Sequence, residues 1–365
     1  MNFEFRQKPI RFQTAFAAVL IGLMVGLVAV AVSGHDPVMV FSALLKGALG
    51  DPYAISSTLR WTAPLLISST AAAVCFAGGM FNMGIDGQLY VGSLAGTVVG
   101  LYLSDLPGIL LIPIMMAVSM ICGAAWAAVP ALIRVKLNSS EIVPALMMNY
   151  IGIYLTDYLV HYHFMDDSGL GLSLQTSELP RGAVFPKIIP SLQITPAILI
   201  GLLVVFLFWI IIKTSKAGYS AILSGLNPEF ARYGGIDVDR TRVAVMLISG
   251  ALAGLCGMVE ILSIRWRYES GFAPSFGNDG LLAALLGNTT PLGALIGSFF
   301  MGALRAGSLA VERSTDVSRS LTVIIQTSII CFVSARMVSK YIGFEAAANY
   351  LSRFLKPLKK KGGDQ

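Results

Sequence analysis

Long apolar runs without charged side chains alternate with short polar segments along most of the chain. A helix needs roughly twenty such residues to cross about 30 Å of hydrocarbon, or somewhat fewer where the flanking side chains reach the interface. Runs of this kind predict membrane-spanning helices over residues 13–34, 61–77, 88–103, 109–133, 142–159, 188–212 and 243–259.

Three further apolar stretches complete the predicted architecture. Residues 280–304 are uncharged, but Asn288 and Pro291 interrupt them, so we expect a short half-helix followed by a full span. A last span is predicted over 320–335, whereas the short run 38–49 carries Lys46 and fits a helix lying at the membrane interface. The pattern predicts an all-α membrane protein of about ten transmembrane segments, including broken or half-helices.

Basic residues favour one orientation for these spans, because cytoplasmic loops hold an excess of Lys and Arg. With the N-terminus inside, the predicted inner segments hold 17 of the 26 basic residues, so both termini are expected in the cytoplasm. The first run could also be a signal peptide, but its length favours a retained span. The predicted divisions are a cytoplasmic N-terminus at 1–12, a transmembrane domain at 13–335 and a basic cytoplasmic tail at 336–365. The transmembrane domain includes an outer loop at 161–187 and an inner loop at 213–242. The tail fits a helix that lies on anionic lipid.

Composition excludes several classes of protein. The chain is 55% hydrophobic and only 13% charged, which is incompatible with a soluble enzyme or a nucleic-acid-binding protein. Its four cysteines lie in apolar runs without a C-x-x-C pair, and His161 and His163 are better explained as solvated residues at the mouth of the outer loop than as metal ligands. No phosphate-binding loop is present, so we expect no ATPase activity and no bound cofactor or metal.

A short motif occurs twice in the chain. Residues 84–89 read Gly-Ile-Asp-Gly-Gln-Leu and residues 277–282 read Gly-Asn-Asp-Gly-Leu-Leu, and each copy follows a phenylalanine. An odd number of predicted crossings separates the copies, which indicates an inverted 5+5 repeat. A chance match in a glycine-rich chain is the alternative.

Polar side chains at membrane depth are costly unless they are paired, solvated or used. Residues 81–88 place amides, a carboxylate and glycines between two spans, which fits either a broken helix lining a cavity or a tight loop at the inner surface with Asp86 as N-cap. For Asn149 the alternative role is a hydrogen bond between helices. The candidate substrate path comprises Phe81, Asn82, Asp86, Gln88, Asn149, Tyr150, Asn278, Asp279 and Asn288.

The inner loop contains a complete set of signals for a short helix. Asn227, Pro228 and Glu229 form a good helix start, and Gly234 with Gly235 forms a good stop. We therefore predict a helix of under two turns across the cytoplasmic face, with a solvated loop as the alternative.

Three segments resemble the permease subunits of ATP-binding-cassette importers for ribose-like sugars, nucleosides and branched-chain amino acids. Residues 81–88 resemble that family's F-N-x-G-x-E-G-Q motif, with Asp86 in place of Glu, and residues 225–236 resemble its coupling loop, G-x-N-P-x-A-A-x-Y-x-G-I, with Phe230 in place of Ala. Residues 140–151, together with 175–180 in the outer loop, are similar to the nucleoside branch.

The resemblance implies a transport subunit that works with partners. These are two cytoplasmic ATP-binding subunits that use the ATP, a second and shorter permease in a heterodimer, and an extracytoplasmic solute-binding protein. The residues it assigns to ATPase coupling are Gly225, Asn227, Pro228, Glu229, Arg232 and Gly234.

Other classes of transporter stay open at this point. An ion-coupled secondary transporter could use Asp86 and Asp279, and a passive channel would need no coupling loop. Among solutes we favour a nucleoside over a simple sugar. A branched-chain amino acid is disfavoured because Asp86, Glu260 and Asp279 have no basic partner in the membrane runs before Arg265.

Overall fold

A computed structural model describes residues 12–166, 174–189, 191–317, 321, 323–328 and 331–332, with side chains from residue 21 onward. Throughout these residues the regular structure is helical, apart from one isolated antiparallel bridge between Gln175 and Glu269. The chain divides into a unit formed by Met1–Phe41 with Asp316–Gln365 and a larger unit, Ser42–Thr315.

The first unit is described only in part. Helix α1, Phe12–Val32, corresponds to the first predicted span. The described positions of the predicted 320–335 span are helical, and Gly26 of α1 packs so closely on this segment that a Cβ there would lie 2.9 Å from Ile325 Cα. The predicted cytoplasmic segment 1–11 and the basic tail lie outside the described residues.

The remaining helices follow the apolar runs. They are α2 Pro37–Leu49, α3 Pro52–Ala77, α4 Ile85–Tyr102, α5 Gly108–Leu137, α6 Ile142–Leu159, α7 Ala197–Thr214, α8 Lys216–Leu226, α9 Pro228–Tyr233, α10 Val238–Glu260, α11 Phe276–Leu286 and α12 Pro291–Ser314. A π-helical turn extends α6 over Val160–Phe164, and another extends α10 over Ile261–Arg265. Among the described residues, five helices are long and apolar enough on their own to cross a membrane: α3, α5, α7, α10 with its extension, and α12. The count of about ten crossings therefore stays a prediction.

Two helix starts differ from the predicted ones for local reasons. Helix α3 begins well before residue 61, because the Asp51 side chain accepts a hydrogen bond from Ala54 N at 2.6 Å and Pro52 occupies the first turn. Helix α7 begins only at Ala197, after Pro196, and the preceding residues form a loop in which Ile188 N donates to Ile194 O.

The predicted half-helix followed by a full span is confirmed. Helix α11 ends at Leu286, and Asn288 and Thr289 take left-handed φ angles of 54° and 56°. The Thr290 side chain then caps α12 by accepting a hydrogen bond from Gly293 N at 3.1 Å.

Small residues let the central helices approach closely. In the most apolar 18-residue stretch of each helix, 72% of the residues of α3 and 78% of those of α10 with its extension are buried. The corresponding share is 22% in α5 and in α7. Ser119 of α5 donates to the Gly92 carbonyl of α4 at 2.8 Å, and a Cβ on Gly92 would lie 2.7 Å from Gly254 Cα of α10. Such contacts stabilise helix association where lipid offers no hydrophobic driving force.

The crossing of α5 and α10 predicts a size limit at Gly254. Gly254→Val would overlap the α5 backbone at Ser119, and such overpacking costs about 1–3 kcal/mol. We expect a clear fall in the unfolding temperature of the purified protein in detergent. The control is Gly182→Ala, whose new Cβ would have its nearest neighbour at 3.8 Å. Equal unfolding temperatures for the two variants would contradict this packing.

Candidate substrate path and coupling helix

The segment between α3 and α4 is a broken helix buried in protein. Asn82 organises it: its Oδ1 accepts from Gly84 N at 2.9 Å, and its Nδ2 donates to Gln88 Oε1 and to Ser249 Oγ of α10, both at 2.8 Å. Asn82 and Gln88 are almost fully buried. The polar groups released by the break are thus paired inside the protein, as a membrane requires.

Helix α6 holds the first turn of α4 from the other side. Asn149 Oδ1 accepts from Gly87 N at 2.7 Å, and its Nδ2 donates to Met83 O at 2.5 Å. The interhelical role considered for Asn149 is therefore present. Glu141 adds a further link, because its carboxylate accepts from Phe81 N at 3.1 Å and pairs with Arg134 at 3.2 Å.

The two copies of the repeated motif meet at the starts of α4 and α11. Asp86 lies in the first turn of α4, whose N-cap is Gly84, so the alternative of Asp86 as that cap is wrong. Its Oδ1 instead accepts from Gly277 N at 2.6 Å, at the positive end of α11. Ser68 of α3 donates to Phe276 O at 2.7 Å and fixes the same point.

Two buried ion pairs hold membrane carboxylates, and the one formed by Arg60 corrects the expectation that these carboxylates have no basic partner before Arg265. Arg60 of α3 pairs with Glu260 of α10 at 2.5 Å, with 8% and 2% of their side chains exposed, and Arg305 of α12 pairs with Asp279 of α11 at 2.8 Å. Trp61 lies beside both guanidinium groups, at 3.7 Å from Arg60 and 5.2 Å from Arg305.

These two arginines were not among the predicted site residues, because each lies at the edge of an apolar run, where a charged residue is common. The carboxylates of Glu260 and Asp279 could have indicated them, since a buried charge requires a partner. Because both arginines are already paired, they offer no free cation for the carboxylate of an amino acid.

The remaining predicted path residues occupy different positions. Asn278 is exposed in the first turn of α11, and its backbone hydrogen-bonds the Asp86 carboxylate together with that of Gly277. Asn288 follows the last turn of the same helix, Phe81 is half-buried next to Asn82, and Tyr150 is 53% exposed on the outer face of α6. The structure thus brings Asn82, Gln88, Asp86 and Asn149 together around the start of α4, and contact with a solute stays a prediction for every candidate residue.

The predicted short helix of the inner loop is confirmed as α9. Asn227 Oδ1 accepts from Phe230 N, and Gly234 N donates to Phe230 O, both at 3.0 Å. Ala231 is buried beneath the helix, whereas Phe230 and Tyr233 are 60% and 92% exposed. Glu229 and Arg232 are also exposed, and Arg232 lies 3.4 Å from Asp239 of α10.

The ends of α8 and α3 meet through two glycines. Gly225, near the end of α8, packs on Gly79, which follows α3 with a φ of +69°. A Cβ on Gly79 would lie 2.8 Å from Gly225 Cα, so the two backbones are in direct contact. Helix α9 follows Gly225 closely in the chain, and residues 80–84 of the broken helix follow Gly79.

The outer-loop histidines pack against aromatic rings. The His161 ring centroid lies 4.6 Å from that of Tyr162, and the His163 centroid lies 6.3 Å from that of Tyr158. The described residues contain no cluster of three His, Cys, Asp or Glu side chains that could hold a metal ion.

Asn149 offers a test of the helix break. Asn149→Ala leaves Gly87 N and Met83 O without partners, and each unsatisfied buried group costs about 1–3 kcal/mol. We expect a lower unfolding temperature in detergent. The neighbouring Tyr150→Phe, on the exposed face, serves as control and should unfold like the parent protein. An unchanged temperature for Asn149→Ala would show that its hydrogen bonds contribute nothing.

The pair between α3 and α10 gives a second test. Arg60→Met leaves Glu260 buried and unpaired, which costs about 3–5 kcal/mol. The double variant Arg60→Met with Glu260→Met removes both charges and should recover most of that loss in thermal unfolding. A double variant less stable than Arg60→Met would contradict the pairing.

Comparison with known proteins identifies the family. Residues 54–334 match the family described as branched-chain amino acid transport system / permease component. A guanosine ABC transporter permease of Bacillus subtilis is 30% identical over 95% of this chain and 96% of its own. A glucose ABC transporter permease of Haloferax volcanii is 28% identical over 96% and 97%, and a nucleoside ABC transporter permease of Lactococcus lactis is 26% identical over 88% and 90%. The chain belongs to the branched-chain amino acid transport system / permease component family.

Proposed function

We propose that this chain is the membrane-spanning subunit of an ATP-binding-cassette importer, lies in the cell inner membrane as a multi-pass protein, and carries a nucleoside. The observation that carries the proposal is α9, a capped helix with Phe230 and Tyr233 turned outward and its backbone connected to the helix break. Relatives named for guanosine and nucleoside transport support the cargo.

The exposed side chains of α9 fit a docking surface for an ATPase. Large aromatic side chains on a hydrophilic loop mark sites of protein contact. Leu226 at the end of α8 adds a third exposed apolar residue beside Phe230 and Tyr233. Two cytoplasmic ATP-binding subunits would supply the ATPase activity for which this chain carries no phosphate-binding loop.

The path from docking to solute follows the contacts already described. Displacement of α9 moves the end of α8, which presses on Gly79 through Gly225. The next residues lead to Asn82 and to the start of α4, where Asp86 meets α11. A push at the cytoplasmic face would thus alter the junction between the repeated motifs, in keeping with alternating access.

Three further features complete the proposal. The repeated motifs belong to an inverted 5+5 repeat with both termini in the cytoplasm, and their contact through Asp86 and Gly277 supports that symmetry. A second, shorter permease forms a heterodimer with this chain, and an extracytoplasmic solute-binding protein delivers the cargo.

A simple sugar is the second candidate cargo, because one relative is named for glucose transport at 28% identity. An ion-coupled carrier is less well supported. Asp279 is paired with Arg305, and Asp86 accepts the amide of Gly277, so both carboxylates are already bound within the protein.

If an ATP-binding subunit docks on α9, a charge placed on this helix should lower ATPase activity selectively. Tyr233→Asp and Phe230→Asp should lower nucleoside-stimulated ATPase activity of the reconstituted complex at least ~10-fold, because an aspartate cannot fill an apolar pocket. The matched control is Tyr102→Asp, a 77% exposed tyrosine at the end of α4. Full activity in both α9 variants would exclude this helix as the contact.

Cargo is tested by competition. In cells carrying the full complex, uptake of labelled guanosine should fall when unlabelled nucleosides are added and persist with glucose, ribose or leucine. Displacement by sugars alone would assign the complex to the sugar branch. Guanosine uptake by the isolated chain under a proton or Na⁺ gradient would instead establish a secondary carrier.

A further inference from the structure

Helix α6 has two chemically different faces. One face carries small or polar residues, Ala145, Asn149, Gly152 and Thr156, and is buried. Gly152 meets the backbone of α4, where its Cβ would lie 3.1 Å from Gly87 Cα. The opposite face is open along its whole length.

That open face carries a row of tyrosines. Tyr150, Tyr154, Tyr158 and, in the π-helical extension, Tyr162 follow one another at intervals of four and are 53%, 70%, 54% and 65% exposed. Residues four apart lie on the same side of a helix. The last two rings touch, with centroids 4.8 Å apart. We call these four residues the tyrosine row.

The exposed face of α7 shows what contact with lipid requires. Its exposed side chains are hydrocarbons over most of its length, among them Leu199, Leu202, Leu203 and Phe206, and the exceptions, Trp209, Lys213 and Thr214, lie in its last two turns. Within the described part of the chain, each of the other helices exposes at most one large tyrosine side chain, so the row is particular to α6.

Lipid cannot provide hydrogen-bond partners for the hydroxyl groups of the tyrosine row. Tyrosine favours the two membrane interfaces, where its hydroxyl meets water. Twelve residues separate Tyr150 from Tyr162, or about 18 Å of helix, and Tyr150 lies near the middle of α6, so the row extends well beyond one interface. A hydroxyl at bilayer depth lacks a hydrogen-bond partner in lipid. The row therefore faces water or protein.

We propose that the tyrosine row forms one wall of the solute path, on which the flat base of a nucleoside stacks as it crosses the membrane. This inference rests on the proposed function. Phenol rings offer a stacking surface for any base, and the hydroxyls offer hydrogen bonds to ribose. Rings about 6 Å apart along the helix give a series of similar, weak sites that suits passage rather than retention. The second permease closes the opposite side.

The proposal gives the buried amides a different place. Asn149, on the buried face of α6, holds the start of α4 together with Asn82 and Gln88, whereas the tyrosine row lies on the opposite face of α6. Of the candidate path residues, Tyr150 alone belongs to the row.

Thiol accessibility tests the wall directly. In the assembled complex, with the four native cysteines replaced by Ala or Ser, Tyr154→Cys should react with a membrane-impermeant, water-soluble methanethiosulfonate reagent, and guanosine should slow the reaction. Leu203→Cys on α7 is the matched control and should not react. A Tyr154→Cys that stays as unreactive as Leu203→Cys faces lipid or packed protein and overturns the proposal.

The effect of each solute on the thiol reaction separates this inference from the assignment of the cargo. If guanosine slows the reaction of Tyr154→Cys, both the wall and the nucleoside cargo are supported. If glucose slows it and guanosine does not, the tyrosine row still forms the wall, but the cargo is not a nucleoside. Reaction at a rate that no transported solute changes overturns the wall, even if the competition assay shows nucleoside uptake.

Transport rates supply a second measurement. Tyr154→Phe keeps the ring and should retain at least about half of the guanosine transport rate, whereas Tyr154→Leu should lose about tenfold because stacking is lost. Leu199→Ala on α7 controls for a general effect of truncation. Equal rates for Tyr154→Leu and Tyr154→Phe would contradict a role in stacking.

Discussion

The bilayer provides no hydrogen-bonding partner for a peptide group, and this constraint governs the construction of the central part of the molecule. A helix that stops within the protein must find other partners for the groups it releases. Here Asn82 and Asn149 supply them for the break before α4, with Gln88 holding the Asn82 side chain, and Ser68 and Asp86 supply them for the start of α11. The amides that first suggest a solute site are therefore also what makes the break possible. A solute site and a structural joint share the same residue types, and only the geometry separates them.

The same constraint extends to charge. Glu260 and Asp279 are buried, and each pairs with an arginine of another helix: Arg60 lies 200 positions from Glu260, and Arg305 lies on the helix that follows Asp279. The side chain of Trp61 lies against both arginines, so an apolar surface covers the charges on one side. These contacts join α3, α10, α11 and α12. Together with the small-residue crossings they hold the central helices in register without a hydrophobic driving force between them.

Much of this could be predicted from the sequence. Apolar runs indicated the helices, the interruption at Asn288 indicated the half-helix, and Asn227 with Pro228 indicated α9, because each of these signals is local. Two features could not be predicted in this way. The ion pair between Arg60 and Glu260 joins residues 200 positions apart, and the direction in which Tyr154 points depends on which face of α6 packs against α4. Pairing across helices requires the fold itself.

The contact between Gly79 and Gly225 has a consequence for how such a subunit diversifies. A side chain at either glycine would overlap the opposite backbone, because a Cβ on Gly79 would lie 2.8 Å from Gly225 Cα and one on Gly225 would lie 2.4 Å from Ala77 O. Phe230 and Tyr233, on the helix that follows, are exposed. Related chains can therefore differ freely at these two aromatic positions, whereas a side chain at Gly79 or Gly225 would force the ends of α3 and α8 apart.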